Sequence, residues 1–246
     1  MNKVSIIMPY FRKMKYVEKT INSILSQTYK NYELIIIYDD ENIEELEFLK
    51  KITKKIKDVK ILINKNTLGA GYSRNIGINQ SSGDYIAFLD ADDLWLEDKI
   101  TIQLKTMIAN NYLLSHTSFN IIDEKDNIIG FRKARNFQKL SNLLKSCDIG
   151  LSTVMAKKNI FDENCKFAKL KTKEDFVLWL KILKKDIKIY SIDQNLSCWR
   201  KTKNSLSSST IQKLFDGYKV YKNYMKFNSF KSLYYLFCLG LNYLKK

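Results

Sequence analysis

The sequence predicts an α/β fold in which a mixed, mainly parallel sheet is flanked by helices, with a short helical extension at the C-terminus. Over the first hundred residues, short apolar runs alternate with segments of helical periodicity, as they do in parallel α/β sheets. The apolar runs have no polar face, which is typical of strands covered on both sides. Acidic residues directly follow two of these runs.

The predicted elements of the first half follow one another in a regular order. An apolar strand at 4–8 is closed by the only proline, Pro9, and a helical pattern continues through Leu25. The remaining predicted elements are a strand at 32–38, a helix at 43–56, a strand at 59–63, a glycine-containing turn entering a helix at 69–77, and a strand at 85–89.

The pattern changes after about residue 110. Residues 111–135 alternate like two longer strands around a turn at Asp126 and Asn127, a helix is predicted at 173–185, and strands are predicted at 187–192 and 196–200. We expect one domain at 1–207, in which 1–110 and 111–207 form the two walls of a cleft, and a helical extension at 208–246.

Composition narrows the choice of partners and compartment. The net charge of +16 comes almost entirely from lysine, whereas proteins that read nucleic acid bases favour arginine. An anionic small substrate or an anionic membrane face is the preferred partner, and no nucleic acid is expected. The four cysteines are scattered and no run of about 18 apolar residues occurs, which predicts a reduced cytoplasmic protein without a membrane span.

Three carboxylates, of Asp90, Asp92 and Asp93, follow the apolar run at 85–89. In an extended chain the side chains of Asp90 and Asp92 point the same way, because side chains alternate with period two. Open parallel sheets bind ligands beyond the carboxyl ends of their strands. We therefore expect half a site for a hard divalent cation, which a phosphate would complete. The alternative interpretation is an acidic turn.

Two further sets of charged residues belong to the same predicted edge of the sheet. Asp39 and Asp40 end the second strand, where a carboxylate can accept hydrogen bonds from a base or ribose. Arg74 stands near the start of a helix, where free amides and a guanidinium group bind phosphate. Together they predict a nucleotide diphosphate site, although Asp39 and Asp40 also suit a helix cap and Arg74 a solvated position.

The segment Gly69-Ala-Gly71 resembles the start of a dinucleotide-binding fingerprint. That fingerprint belongs after the first strand of its unit and needs a third glycine where this chain has Arg74. A nicotinamide-dependent dehydrogenase is therefore disfavoured.

Five segments stand in a fixed order along the chain: VSIIMPY at 4–10, SILSQTYKNYELIIIYDD at 23–40, RNIG at 74–77, GDYIAFLDADDLW at 83–95 and EDFVLWL at 174–180. Together they resemble glycosyltransferase family 2, the inverting enzymes of the GT-A fold. The resemblance implies a nucleotide-binding, Rossmann-type mixed sheet. A later segment, WR at 199–200 followed by SLS at 205–207, is similar to the family's donor-phosphate segment, but KTKN at 201–204 lacks the histidine that many members carry.

The resemblance implies a role for each matching position on the donor side. Asp39 is the carboxylate expected to contact the uracil or ribose, and Asp40 could share that contact, because Tyr38 stands where many members have the first of two aspartates. Asp92 is the expected direct ligand of Mn²⁺ or Mg²⁺, with Asp90 as the second. The residues expected to contact the nucleotide sugar are Pro9, Tyr10, Asp39, Asp40, Arg74, Asp90, Ala91 and Arg200.

On the acceptor side, the resemblance implies that Asp175 is the catalytic base and that Asp93 and Glu174 line the acceptor. An inverting transfer needs one carboxylate that takes the proton of the acceptor hydroxyl, while the cation replaces a general acid at the departing diphosphate. Without the resemblance, Glu174 and Asp175 would be interpreted as favourable charges in the first turn of a helix.

These expectations define an inverting transfer of a sugar, uridine-linked by preference, to a surface saccharide or lipid-linked acceptor at the inner face of the cell membrane. A nucleotidyltransferase and a non-catalytic basic binding module for nucleic acid or membrane are the alternatives. The tail, with apolar residues from Phe230 to Leu244 at helical spacing between lysines, suits either a helix in a membrane interface or one docked on protein.

Overall fold

The computed structural model describes residues 2–202 and 209–244, with side chains described as far as residue 242. The SLS segment at 205–207 and the expected boundary at 207/208 lie outside the described residues. Within them the chain forms eight α-helices and nine strands. The helices are α1 (Met14–Leu25), α2 (Ile43–Thr53), α3 (Ala70–Gln80), α4 (Lys99–Ala109), α5 (Leu140–Leu143), α6 (Glu174–Lys184), α7 (Thr210–Lys219) and α8 (Ser229–Leu244).

The nine strands form one mixed sheet. They are β1 (Val4–Tyr10), β2 (Tyr32–Tyr38), β3 (Val59–Ile63), β4 (Tyr85–Phe88), β5 (Leu94–Trp95), β6 (Leu114–Ile122), β7 (Ile128–Arg132), β8 (Met155–Lys157) and β9 (Tyr190–Arg200). The strand order is β3-β2-β1-β4-β8-β6-β9-β5, and β7 pairs with β6. The first four strands are parallel, which confirms the predicted α/β class.

The sheet is covered on both faces because alternate side chains of its parallel strands enter two different cores. Val4, Ile6 and Met8 of β1 pack in the core that also contains buried residues of α1, α2 and α4. Ile7 of β1 and Ile37 of β2 pack in the other core with α3, α6 and the C-terminal helices. A period of two therefore separates the two layers, as expected for strands without a polar face.

Several predicted boundaries shift once partners are present. β1 runs through Pro9 to Tyr10, because residue 9 still pairs with β2. The two predicted strands at 187–192 and 196–200 are one strand, β9, whose pairing with β6 contains register shifts around Ser118. The two-residue strand β5, which pairs with Ser197 and Cys198, has no sequence signal of its own.

The C-terminal extension packs on the domain. A π-helical turn, Val220–Tyr224, joins α7 towards α8, and its buried Val220 and Tyr221 belong to the core that contains α6. The inner face of α8 supplies buried Ser232 and Leu239. Within the described part of the chain, no helix has the length and apolar character needed to cross a bilayer.

Candidate active site

The candidate site lies at the carboxyl ends of β1, β2 and β4. These strands are parallel neighbours, so the segments that follow them meet at one edge of the sheet, where open α/β sheets bind ligands. The N-terminus of α3 and the N-terminus of α6 reach the same edge, since Arg74 of α3 contacts both Asp90 after β4 and Glu174 of α6.

Asp90 and Asp92 occupy a turn beyond β4. The amide of Asp93 donates to the carbonyl of Asp90 at 3.1 Å, so the chain reverses here instead of continuing extended. The expectation that period-two alternation aligns the two carboxylates is therefore wrong, but within this turn the carboxylate of Asp90 still contributes to a raised pKa of Asp92. Their side chains are 32% and 14% exposed, respectively, so both carboxylates retain access to the cleft.

Lys13 is a site residue that the sequence reasoning missed. It lies in the loop after β1, directly before α1, and its Nζ is 2.5 Å from Oδ2 of Asp92. Burial raises the pKa of the Asp92 carboxyl and Lys13 opposes that rise. Its position in the sequence could have predicted this, because the loop after the first parallel strand lies at the same edge of the sheet as the strand-end aspartates.

Asp93 lies under the turn instead of lining the acceptor side. It is 2% exposed and accepts hydrogen bonds from Ser152 Oγ at 2.6 Å and from the amide of Arg200 at 2.8 Å. Burial and the neighbouring aspartates raise its pKa well above the ordinary range. In the structure Asp93 therefore fixes the turn. This corrects the expectation that its side chain lines the acceptor.

Arg74 joins the two walls of the site. Its guanidinium donates to Asp90 Oδ1 at 2.7 Å and to Glu174 Oε1 at 2.6 Å, and it lies 5.4 Å from the ring centre of Phe167. The side chain is only 4% exposed, so these are largely desolvated, charge-assisted hydrogen bonds. The two carboxylates hold the pKa of Arg74 above its usual value, although burial opposes them.

Two glycines allow α3 to bring Arg74 to this position. Gly69, which precedes the helix, has a φ of +87°, a conformation that a residue with a Cβ rarely adopts. A Cβ on Gly71 would lie 2.9 Å from the carbonyl oxygen of Ala168 and 2.9 Å from Cγ of Glu174. The glycine pair therefore permits close approach of α3 to the start of α6.

Glu174 and Asp175 form the first turn of α6. Burial raises the pKa of Glu174 to about 7, and Arg74 opposes the rise. Burial also raises the pKa of Asp175, again opposed by Arg74, while Asp90 adds to the rise. Asp175 Oδ1 accepts from the amide of Phe176 at 2.7 Å. A partly buried carboxylate of raised pKa is a stronger base than an ordinary aspartate.

Asp39 and Asp40 differ in what their carboxylates are free to do. Both oxygens of Asp39 are engaged by the loop before α3, through Asn64 Nδ2 at 2.6 Å and the amides of Leu68 and Gly69 at 2.8 and 2.7 Å. Oδ1 of Asp40 accepts from the amide of Glu41. Among the described residues, Oδ2 of Asp40 has no hydrogen-bond partner and lies 3.4 Å from Nε of Arg12.

Two of three further residues expected to contact the nucleotide sugar are buried. The side chain of Tyr10 is fully buried, stacks on Tyr38 and donates its hydroxyl to Glu45 at 2.5 Å. Tyr10 lies an even number of residues from Val4, Ile6 and Met8, so its side chain points into the same core as theirs. Only the backbone of Tyr10 could contact a nucleotide-sugar donor. Ala91 is also buried, at 3% exposure. Pro9 alone of the three is partly exposed.

Arg200 points into the protein. Its Nε donates to the carbonyl of Asp92 at 2.7 Å, its Nη1 donates to the carbonyl of Asp123 at 3.0 Å, and the side chain is 1% exposed. Nη1 also lies 2.5 Å from Oδ1 of Asp126. Arg200 therefore holds the aspartate turn from below, and the expected direct contact with a donor phosphate is not supported by this geometry.

The carboxylates fit a hard cation as part of its coordination sphere. Asp90 and Asp92 offer oxygen donors, the chemistry that Mg²⁺ and Mn²⁺ prefer. Over residues 2–202 and 209–244, no group of three or more acidic, histidine or cysteine side chains is arranged to hold a metal by itself. Further oxygen ligands would have to come from a bound diphosphate and water.

Comparison with known proteins identifies the family of the chain. The model of the family "Glycosyl transferase family 2" matches residues 5–163. The chain is 33% identical over 244 residues to the Escherichia coli enzyme WfgD, named UDP-Glc:alpha-D-GlcNAc-diphosphoundecaprenol beta-1,3-glucosyltransferase, covering 98% of this chain and 92% of that one. It is also 40% identical over 200 residues to an uncharacterized glycosyltransferase of Rickettsia felis, covering 79% of this chain. The chain spans about a third (32%) of the length of that relative.

Solved structures share the fold. A crystal structure of Staphylococcus aureus TarS residues 1–349 in complex with UDP-GlcNAc superposes with a TM-score of 0.73 at 18% identity, covering 95% of this chain and 70% of that one. The mannosyltransferase PcManGT of Pyrobaculum calidifontis, in complex with GDP-Man and Mn²⁺, gives 0.71 at 12% identity, with coverages of 96% and 70%. The family model and the E. coli relative weigh against a nucleotidyltransferase or a non-catalytic binding module. The chain belongs to glycosyltransferase family 2 and has a GT-A-type fold.

Proposed function

We propose that this chain transfers a sugar from a UDP-sugar to a hydroxyl of a lipid-linked saccharide, with inversion at the anomeric carbon. The observation that carries the proposal is the pair of hydrogen bonds from Arg74 to Asp90 and Glu174. They join the strand-end aspartates, which suit a diphosphate and its cation, to the helix turn that contains Asp175. One cleft thereby has a donor side and a base.

Asp175 is the base in this proposal. Its carboxylate takes the proton of the acceptor hydroxyl while the hydroxyl oxygen forms a bond to the anomeric carbon, and the bond from that carbon to the diphosphate oxygen breaks on the opposite side. Burial raises the pKa of Asp175, which strengthens it as a base. General-base catalysis of this kind contributes about 10²–10⁴-fold to the rate.

Asp92 and Asp90 would hold Mn²⁺ or Mg²⁺ together with the diphosphate. When bound, the cation supplies positive charge to the departing diphosphate. Lys13 and Arg74 add fixed positive charge at the same edge, 2.5 Å from Asp92 and 2.7 Å from Asp90 respectively. Preorganised charge of this kind stabilises a developing anion without rearranging solvent.

For the base and ribose, Asp40 is the better candidate acceptor, because the Arg12 side chain that lies 3.4 Å from its Oδ2 is 70% exposed and can move aside for a ligand. Asp39 already receives three hydrogen bonds from the loop before α3, so it shapes the pocket, whereas Oδ2 of Asp40 has no hydrogen-bond donor among the described residues. Uracil N3–H or a ribose hydroxyl can supply one. Asp40→Asn should therefore weaken UDP binding more than Asp84→Asn, a surface control.

The choice of donor and acceptor is supported by the relatives' names. The E. coli relative is named for UDP-glucose and a diphosphoundecaprenol-linked N-acetylglucosamine acceptor, and the TarS structure contains UDP-GlcNAc. The direct test is a thermal-shift panel of UDP, GDP and CMP sugars with and without Mn²⁺, followed by transfer to a polyprenyl-diphosphate-linked N-acetylhexosamine. Stabilisation by UDP-sugars only in the presence of the cation supports the proposal, and a preference for GDP would overturn the donor class.

Two variants separate binding from chemistry. Asp92→Ala should lose cation-dependent nucleotide binding, whereas Asp175→Asn should keep donor binding and lose transfer by about 10²–10⁴-fold. Unchanged affinity of Asp92→Ala with Mn²⁺ would remove the metal assignment. Near-normal turnover of Asp175→Asn would mean that the base lies elsewhere.

The outer face of the C-terminal helices suits the inner face of an anionic membrane, where a lipid-linked acceptor would be found. Phe215 of α7 and Phe230 and Phe237 of α8 are 65%, 88% and 65% exposed, and Lys226 and Lys231, which are near Phe230 in the sequence, are exposed too. Aromatic side chains with bordering lysines are typical of interfacial helices. Among the described residues no two cysteines are joined by a disulfide, which suits a reducing cytoplasmic location.

Vesicle sedimentation tests the membrane contact. The protein should bind vesicles containing phosphatidylglycerol and not pure phosphatidylcholine, and Phe230→Ser with Phe237→Ser should abolish binding. The matched control is Ile128→Ser with Phe131→Ser on β7, where the side chains are 66% and 51% exposed. Equal loss in the control, or a dimer that dissociates in the α8 variant, would contradict the lipid assignment.

A further inference from the structure

A buried carboxylate of the C-terminal extension is bonded to the segment that begins the base helix. Asp216 of α7 is 1% exposed. Its Oδ2 accepts from the amide of Thr172 at 3.0 Å, from the Thr172 hydroxyl at 3.0 Å, and from Gln212 Nε2 at 2.9 Å. The first two bonds join positions that are 44 residues apart in the chain.

The N-cap residue of α6 does not supply the side-chain hydrogen bond that usually caps a helix. The N-cap residue is Lys173, with a φ of +63°, and it makes no side-chain capping hydrogen bond. A left-handed lysine costs free energy, and such a conformation persists only when its surroundings hold it. Thr172, which directly precedes Lys173, is hydrogen-bonded to Asp216. Glu174 and Asp175 directly follow Lys173.

A second contact between the extension and α6 supports the same connection. The ring of Tyr221 packs edge-on against Phe176 at 6.2 Å between ring centres, and the Tyr221 hydroxyl donates to the carbonyl of Leu144 at 2.6 Å. A Cβ on Gly217 would lie 2.8 Å from Leu236 of α8 and 3.6 Å from Cε of Lys173, so α7 fits closely between α8 and the N-cap.

We propose that the C-terminal extension is a positioning element of the active site and that Asp216, through Thr172, fixes the first turn of α6 and with it Asp175. The inference rests on the proposed function of Asp175 as the base. It gives the extension a task separate from membrane contact, since the inner residues of α7 hold the base helix while the outer residues of α7 and α8 remain exposed.

The experiment compares Asp216→Ala and Thr172→Val with Thr172→Ser in the full chain. We expect unchanged dissociation constants for the UDP-sugar with Mn²⁺, unchanged donor KM, and a kcat lowered by about 10- to 100-fold, because a misplacement of about 1 Å in a reacting group has an effect of that size. Thr172→Ser keeps the hydroxyl donor and should restore kcat. Hydrogen exchange of the amides at 172–176 should accelerate in Asp216→Ala.

Gly240→Ala is the matched control in the extension, because an added Cβ there meets nothing within 4 Å; it should leave kcat and exchange unchanged. Unaltered amide exchange at 172–176 in Asp216→Ala, or a kcat within twofold of the parent, would overturn the inference. Thr172→Val provides the same test if Asp216→Ala fails to fold. Failure of the proposed function would differ, because the parent protein itself would then not transfer sugar while the exchange results still decide the role of Asp216.

Discussion

Replacing Arg74 by methionine would leave two carboxylates of the site without their shared positive partner. Methionine keeps much of the aliphatic volume of arginine, so the change removes mainly the hydrogen bonds to Asp90 and Glu174, at 2.7 and 2.6 Å. Arg74 and Glu174 are 4% and 13% exposed, whereas Asp90 is 32% exposed. The loss should therefore be dominated by the Glu174 pair.

Removing one partner of a buried ion pair costs about 3–5 kcal/mol of stability. Because Asp90 can be rehydrated, we expect the lower end, about 3 kcal/mol at alkaline pH. For a chain of this length, a loss of that size lowers Tm by roughly 6–12 °C. The two walls of the cleft would also lose the guanidinium that bonds to both of them, so donor affinity should fall as well.

The pH dependence follows from Glu174. Its pKa is raised to about 7 by burial, with Arg74 opposing the rise, so loss of Arg74 raises it further. A carboxyl whose folded pKa exceeds its unfolded value destabilises the folded state as pH rises, up to the folded pKa. Below about pH 7, the burial of Glu174 destabilises the parent protein and the Arg74→Met variant equally. Above pH 7, Glu174 is already ionised in the folded parent protein, so only the variant continues to lose stability.

The assay is thermal unfolding at pH 6 and pH 8.5. Arg74→Met should lie further below the parent protein at pH 8.5 than at pH 6. Lys133→Met is the control, because Lys133 and Asp193 form an exposed pair with side chains 69% and 59% accessible, and it should leave Tm unchanged. A Tm within 2 °C of the parent at pH 8.5, or a deficit independent of pH, would refute the reasoning.

Three further substitutions test charged groups that the structure buries or pairs. Glu33 has no exposed side-chain area and a pKa lowered to about 2 by hydrogen bonds that outweigh its burial; Glu33→Gln should be less stable in urea by about 3 kcal/mol at pH 7. The gap should close as pH falls from about 4.5 towards 2, and a constant gap would contradict the assignment. Lys13→Met should raise the affinity of Asp92 for Mn²⁺ alone by about tenfold, measured by manganese EPR without nucleotide, whereas weaker binding would show that Lys13 supports the cation. Lys99 is fully buried, and desolvation lowers its pKa to about 7. Lys99→Met should therefore stabilise the protein by about 2 kcal/mol at pH 6, after allowance for the lost contact with the Trp95 ring, and by less at pH 10. Destabilisation at pH 6 would refute this.

The strands and helices of the first half could be predicted because their signals are local. The runs that became β2 and β3 end where they were expected to end, and α6 begins within one residue of its predicted start. The family follows from the same segments, since strand-end carboxylates and the later Glu174-Asp175 pair keep their order in the chain. The assignment to glycosyltransferase family 2 is confirmed, whereas the roles of individual residues remain proposals.

At the site, the sequence did not predict where side chains point. Arg200, Asp93 and Tyr10 were expected to contact ligands, and the structure buries the side chains of all three in the protein. Tyr10 could have been placed correctly, because its parity in β1 assigns it to the core face. For Arg200 no local signal exists, since its partners, the carbonyls of Asp92 and Asp123, are about 77 to 108 residues away.

The sequence by itself determined the fold class, the family, and most of the charged residues that reach one edge of the sheet, Lys13 being the exception. These properties depend on periodicity and on the order of segments, both of which are written along the chain. Only the tertiary structure decided which partner each charged group has. Lys13 pairs with Asp92, Arg74 pairs with both Asp90 and Glu174, and Asp216 accepts a hydrogen bond from Thr172. The physical reason is that an ion pair or a buried hydrogen bond acts over a few ångströms in space, and its partners lie tens of residues apart until the sheet and its helices bring them together.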